Sequence, residues 1–383
     1  MNHAFKRALS FAVAVFGIFF LLSVPAQAQT EQPEKPPMAD ATFKNIQVLR
    51  GLSVDQFMGT MGFMASALSL NCSGCHDTTS AETYATDNDK KQMARRMMIM
   101  VDTFNKTNFG GKREITCYTC HRGSSKPATN VSLVEQYSAP PEDDPNEVEL
   151  LDKPAPNTPS ADQILNRYIQ ALGGAQKLGA LKSFVARGSY EGFDTSHDKV
   201  TVEIFAQSPN RRTTLVHLHT GENLRVYDGI NGWNNSTGTL LPIPVRALGG
   251  SDLEGARIEA AIAFPVQLKS VLNNWRSGFP ATTINDKPVD VIQASGVDTT
   301  PVKFYFDKET GLLVRYTRYS DTPIGTIPSQ VDFGDYHDVG GIKFPYKITQ
   351  TWTDGQVFIE LNDVRANATV EASRFARPQT AGR

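Results

Sequence analysis

Two short stretches constrain this chain more than any other feature. "LNCSGCHDT", residues 70–78, and "ITCYTCHRG", residues 115–123, hold all 4 cysteines of the 383-residue sequence. Each pair is spaced C-x-x-C, and each is followed at once by a histidine. Two such pairs, 45 residues apart (117 minus 72), would also suit a four-cysteine zinc site, two small disulfides or one redox-active pair. None of these needs the histidines. With 7 histidines in 383 residues, two such neighbours by chance come to on the order of one in 3,000. C-x-x-C-H is the attachment signature of c-type haem. The spacing therefore predicts two covalently bound haems, one on Cys72 and Cys75, the other on Cys117 and Cys120. His76 and His121 are the expected proximal iron ligands.

Covalent haem attachment fits export, and the N-terminus reads as an export signal. Lys6 and Arg7 precede an apolar run over residues 8–24, and Ala26 and Ala28 occupy the small positions of an A-x-A site. Cleavage is expected after Ala28, with a periplasmic mature chain; an uncleaved anchor is the alternative. A net charge of −2 and 40% apolar residues describe a globular chain with material for a core. No basic excess points to nucleic acid.

Composition divides the sequence. After the signal peptide (1–28), residues 29–40 are polar and Pro-containing, and are expected to be flexible. Residues 41–123 contain every cysteine and seven of the 9 methionines. Residues 124–159 are Pro-rich and acidic, the composition of a linker. Residues 160–383 open with a capping box, Ser160 and Gln163, for a short helix closed by Gly173-Gly174. Alternating stretches such as "KVTVEIFAQ" and "VKFYFD" then dominate, with one helical interruption over about 252–274. The expected fold is α + β in two domains. A small, mostly helical dihaem cytochrome c domain precedes a curved antiparallel half-barrel sheet with a few helices on its concave face.

A six-coordinate haem iron needs a ligand opposite the histidine, and methionine sulfur serves in electron-transfer cytochromes. Before the first motif, "SVDQFMGTMGFMASALSL" reads as a helix with Phe57, Met61, Met64 and Leu68 on one face. Before the second, Met93, Met97, Met100 and Phe104 repeat that face. Met61 and Met97 sit centrally and are the expected distal ligands, with Met64 and Met100 as alternates. A Met stripe at this spacing also suits ordinary core packing. Lys90, Lys91, Arg95, Arg96, Lys106, Lys112, Arg113 and Arg122 surround the second helix. They suit a solvated face, propionate pairing by Arg95, Arg96 or Arg122, or steering of an acidic redox partner.

Taken together, "LSVDQFMGTMGFMASALSLNCSGCH", "ARRM" and "TCYTCHRG" resemble the cytochrome c subunit of photosynthetic reaction centres over residues 41–126. The resemblance implies Met61 and Met97 as distal ligands, His76 and His121 as proximal ones, and single-electron transfer to a membrane-bound photosynthetic or respiratory complex. That family usually carries four haems and this chain has two motifs, so the expectation is a two-haem carrier without enzymatic activity. A haem peroxidase, or an envelope binding module for an apolar ligand with a redox-active haem part, are the alternatives. The β-rich part faintly resembles lipoprotein-carrier-like half-barrels.

Overall fold

The computed structural model describes residues 32–379, apart from 81, 128, 132, 134–136, 138–154, 238–242 and 298–299. The signal peptide expected over 1–28, and most of the linker expected over 124–159, lie outside the described residues. Among the described residues no helix is long and apolar enough to cross a membrane.

The helical part comprises α1 (Ala39–Thr42), α2 (Val54–Leu68), α3 (Asp89–Asn108) and α4 (Cys117–His121). Helix α2 starts at a reciprocal cap. The Gln56 N–H donates to the Ser53 hydroxyl, and the Ser53 N–H donates to the Gln56 side chain, which satisfies two otherwise orphan donors. It stops at Ser69, which adopts the left-handed conformation. Asn88 caps α3 by accepting from the Lys91 N–H at 3.0 Å.

Residues 183–366 form a fourteen-stranded antiparallel sheet, curved and not closed. Its strands are β1 (Ser183–Gly192), β2 (Val200–Gln207), β3 (Arg211–Leu218), β4 (Gly221–Tyr227), β5 (Gly232–Asn235), β6 (Val245–Ala247) and β7 (Asn273–Arg276). The rest are β8 (Thr282–Ile284), β9 (Lys287–Ser295), β10 (Pro301–Asp307), β11 (Leu313–Thr322), β12 (Gly325–Val339), β13 (Ile342–Trp352) and β14 (Gly355–Ala366). The order is β6-β5-β4-β3-β2-β1-β14-β13-β12-β11-β10-β9-β7, with β8 on β9. It is a succession of hairpins joined in the middle, where β1 pairs β14 from Phe184 opposite Ala366 to Gly192 opposite Val357. Such meanders need only short turns. Between β12 and β13 the turn is Gly340-Gly341, both with positive φ, the conformation that glycine reaches without strain.

Strand periodicity decides what each face buries. On β2, Val200, Val202, Ile204 and Ala206 enter the main core, while Phe205 joins Val185, Leu215 and Phe375 on the opposite side. The main core is closed by α5 (Ala161–Ala171), through Ile164, Leu165 and Tyr168, by Leu178 of α6 (Ala175–Ala180), by Ile258 and Ala261 of α7 (Gly250–Ala263), and by Leu268 and Val271 of α8 (Leu268–Val271). The Ser160–Gln163 capping box is present. The helical interruption and the few helices on the sheet are as the sequence indicates.

The helical part is mounted directly on this sheet. Phe63 and Ala67 of α2 share a core with Leu49, Met98 of α3, and Ile324 and Ile327 from the β11–β12 hairpin. Small residues permit the approach: a Cβ on Gly62 would meet the Thr353 hydroxyl at 2.9 Å, and one on Gly325 would collide with the Phe63 ring. Ser66 donates to the Thr353 carbonyl in the β13–β14 turn. Arg113, beyond α3, donates to the Thr322 and Gly325 carbonyls and pairs with Asp321 at 2.8 Å. Residues 29–40 read as flexible from composition, but Glu34 has specific partners: the Trp233 indole donates to it at 2.7 Å and Arg377 at 3.2 Å.

A chain of buried charges crosses the same junction. Asp55 at the start of α2 meets Arg246 of β6 at 2.7 Å, the two side chains being 7% and 15% exposed. Deeper in, Glu259 of α7 is flanked by Arg212 at 3.1 Å and Arg225 at 3.4 Å. Burial would raise the Glu259 pKa, but Arg225, Arg212 and Arg318 outweigh it and hold the carboxyl below its ordinary 4.5. Stability from Glu259 is thus complete above about 4.5 and is lost as pH falls through the depressed folded-state value. For Asp55, burial and then Asp252 dominate, and its pKa is raised despite Arg246. Arg246→Ala strands a buried carboxylate and is expected to cost about 3–5 kcal/mol in a urea titration. Asp55→Asn is expected to cost less. Equal costs, or none, would refute this account of the junction.

Candidate functional site

Each C-x-x-C-H motif is folded by its own local signals. In the first, Asn71 accepts from the Gly74 N–H at 3.1 Å, starting a 3-10 turn over Cys72–Gly74. The second is a short helix, α4, begun by a Thr116–Thr119 capping box and stopped by Arg122 in the left-handed conformation. Cys72 and Cys120 are exposed, Cys75 and Cys117 half-buried, and all four thiols are free. Burial pushes the Cys117 thiol pKa up. Among the described residues no three His, Cys, Asp or Glu side chains gather to hold a metal ion. The cysteine pairs therefore do not assemble a four-sulfur zinc site.

The two histidines share one arrangement. His76 Nδ1 lies 3.1 Å from the Tyr84 carbonyl, and His121 Nδ1 lies 2.9 Å from the Ser124 carbonyl. A carbonyl oxygen only accepts, so each Nδ1 carries a proton, and in the neutral ring Nε2 keeps its lone pair. This is the tautomer an iron ligand needs, fixed by a partner behind it. The His76 ring also stacks on Tyr84, with centroids 5.0 Å apart. Burial lowers the His76 pKa below its ordinary 6.5, Lys91 adds to that, and the bond to Tyr84 opposes it.

Most of the residues holding the motifs escaped the sequence reading. The first turn of α3 grips the first motif: Asn88 donates to the Cys75 carbonyl at 2.9 Å and Lys90 to the Gly74 carbonyl at 2.6 Å. Lys91 donates to the carbonyls of Tyr84 and Thr86, at 2.5 and 2.7 Å. The approach to the second motif is pinned by buried Asn105. Its side chain donates to the Ile115 carbonyl at 2.7 Å and accepts from the Ile115 N–H at 3.0 Å. The end of that motif is tied to α2, since the Gly123 N–H donates to the Ala67 carbonyl at 3.0 Å. Only the Asn88 cap had a readable local signal, the "DNDKK" start of a helix.

Of the faces expected to carry distal ligands, that of α3 is largely exposed and that of α2 is half-buried. Helix α2 buries Thr60, Phe63 and Ala67 while Phe57, Met61, Met64 and Leu68 are only half-buried. On α3, Met98 and Asn105 are the buried positions. Met93 is 45%, Met97 37%, Met100 54% and Phe104 46% exposed. A contiguous apolar stripe left in water needs a cover. Four free thiols, two histidines with available Nε2 and uncovered Met-rich faces fit two attached haems. The structure places Met61, Met64 and Cys117 against one apolar cluster, so the first Met-bearing helix lies beside the second motif. Of the basic residues, Arg95 is engaged by Asp87 at 2.7 Å and Lys106 by Asp102 at 2.7 Å, while Arg96 has the Met93 sulfur at 3.8 Å.

An apolar cavity of about 100 Å³ lies against the sheet, lined by residues including Tyr168, Leu172, Phe184, Phe344 and Ile348, with Arg212 and Glu259 also in its lining.

Residues 20–149 match the family model described as photosynthetic reaction centre cytochrome C subunit. The photosynthetic reaction center cytochrome c subunit of Roseobacter denitrificans is 35% identical over 125 residues, 29% of this chain and 34% of that protein. That of Rubrivivax gelatinosus is 35% identical over 96 residues, 24% and 25% respectively. The chain thus spans about a third or less of the length of these curated relatives. Among solved structures, a LolA superfamily protein from Nitrosomonas europaea aligns with a TM-score of 0.40 and 13% identity, over 57% of this chain and 98% of that one.

Asn105→Ala removes both partners of buried Ile115 backbone groups. It is expected to cost about 2–4 kcal/mol in thermal or urea unfolding. A change under about 0.5 kcal/mol would show that Asn105 does not hold the second motif.

Proposed function

We propose that this chain is an exported, periplasmic electron carrier with two covalently attached haems, of the reaction-centre cytochrome kind over its helical part. The observation that carries this reading is the pairing of each C-x-x-C-H motif with a histidine whose Nδ1 proton is already committed to a backbone carbonyl. Cys72 and Cys75 would hold one haem and Cys117 and Cys120 the other, each through its thiol. His76 and His121 present Nε2 to the irons. Met61 and Met97 are the proposed distal ligands, with Met64 and Met100 lining the sites. When bound, each iron supplies a reversible one-electron couple. The chain's own part is to hold two ligands on each iron and to keep water away with the Met and Phe faces of α2 and α3. It also keeps that geometry fixed on the sheet. A histidine and a methionine available to each iron would favour a carrier over an enzyme.

The match of residues 20–149 supports a membrane-bound redox complex as the partner, photosynthetic or respiratory. The sheet serves in this proposal as a mount. Its cavity of about 100 Å³ falls below the ~300 Å³ at which small-molecule pockets begin, so an acyl ligand is the weaker reading.

The protein purified from a host competent in haem attachment is expected to carry two haems per chain and to show two low-spin spectra with the sulfur-ligation band. His76→Ala and Met61→Ala are each expected to perturb one haem and spare the other. A colourless protein, or spectra unchanged by both substitutions, would overturn the assignment; a high-spin haem that turns over peroxide would favour the enzyme.

A further inference from the structure

The two histidines share a design but differ in what stands behind it. His121 donates to the Ser124 carbonyl at 2.9 Å, and no cation among the described residues donates to that oxygen. His76 donates to the Tyr84 carbonyl at 3.1 Å, and the same oxygen also accepts from the Lys91 ammonium at 2.5 Å. Lys91 is locked there by a second bond, to the Thr86 carbonyl at 2.7 Å. We infer that Lys91 is a positioning residue that sets the reduction potential of the iron held by His76 above that of the iron held by His121. The inference rests on the reading of these histidines as iron ligands.

Two effects act in the same direction. The hydrogen bond behind a ligating imidazole tunes its basicity, because a stronger acceptor makes the ring more anionic and stabilises the more positive oxidation state. An ammonium on the Tyr84 oxygen draws density from it and weakens it as an acceptor for His76. The ammonium is also a fixed positive charge near the site, and it disfavours the ferric state, which carries one positive charge more than the ferrous. Both effects raise the potential. Lys90 is exposed but held on the Gly74 carbonyl at 2.6 Å, and adds a smaller, partly screened share of the second effect alone.

Nearby charges leave the difference in place. The Arg95 guanidinium is paired with Asp87 at 2.7 Å. Asp77 is fully exposed and engaged by the Thr79 N–H and hydroxyl, so water screens it. Glu82 is likewise fully exposed. Arg122, next to His121, is exposed and is screened in the same way. Lys91 is half-buried, where a charge acts through a lower effective dielectric constant.

The test is a potentiometric titration of the two-haem protein followed in the visible spectrum, for the wild type, Lys91→Gln and Lys91→Arg. Two separated midpoints are expected. Lys91→Gln should lower the higher one by about tenfold in equilibrium constant, ~59 mV for one electron, leave the lower one in place, and keep both haems and the sulfur-ligation band. Lys91→Arg should restore the higher midpoint. If Lys91→Gln does not mature, Lys90→Gln decides: it should lower the same midpoint by a smaller amount. Coincident wild-type midpoints, a shift of the lower midpoint, or no shift in either would overturn the inference. A wild type without haem would instead overturn the assignment of the ligands.

Discussion

Helix α2 has two apolar faces, and the contact of one with the sheet governs everything that the other can do. Phe63 and Ala67, with Gly59 and Gly62 between the bulkier positions, lie on the β11–β12 and β13–β14 turns. The glycines admit the hairpin tips, and Arg113 and Ser66 fasten the approach with bonds to their backbone carbonyls. Met61, Met64 and Phe57 pack at the margin of that same cluster and stay only half-buried, beside Cys117 of the second motif.

Charge reinforces the same junction. The Asp55–Arg246 pair and the Glu259 cluster are buried, so removing one partner leaves the other exposed to the full desolvation penalty. Such pairs add little net stability compared with apolar substitutes. Their geometric demand is strict, however, and they define one orientation of α2 against β6 where apolar contact alone would tolerate several. The docked orientation in turn sets where the cysteines sit relative to the sheet.

What the sequence revealed was local. The C-x-x-C-H motifs and the Ser160 capping box each lie within about a dozen residues, where chemistry and spacing suffice. The composition break and the curved open sheet were likewise legible, since strands linked mostly by hairpins leave an alternating record. What was not legible depends on partners far away in the chain. Arg113 finds Thr322 across 209 residues and Ser66 finds Thr353 across 287. No local pattern reveals that α2 packs on hairpin tips, that Met98 rather than Met97 is the buried methionine of α3, or that Lys91 reaches back to Tyr84. The repeat of helix and motif was visible, but its natural reading placed each helix with its own motif. The contacts cross over as well: α3 grips the first motif through Asn88 and Lys90 besides holding the approach to the second through Asn105, and the second is also tied to Ala67 of α2.

That exchange of supports gives the repeat a different character from a tandem array. Beads on a string can be cut between beads, and each survives. Here a cut between the two units would remove from each the backbone anchor that the other supplies, so neither half is a self-sufficient module. The order of either motif loop thus depends on residues of the other unit, and the two behave as one cooperative element.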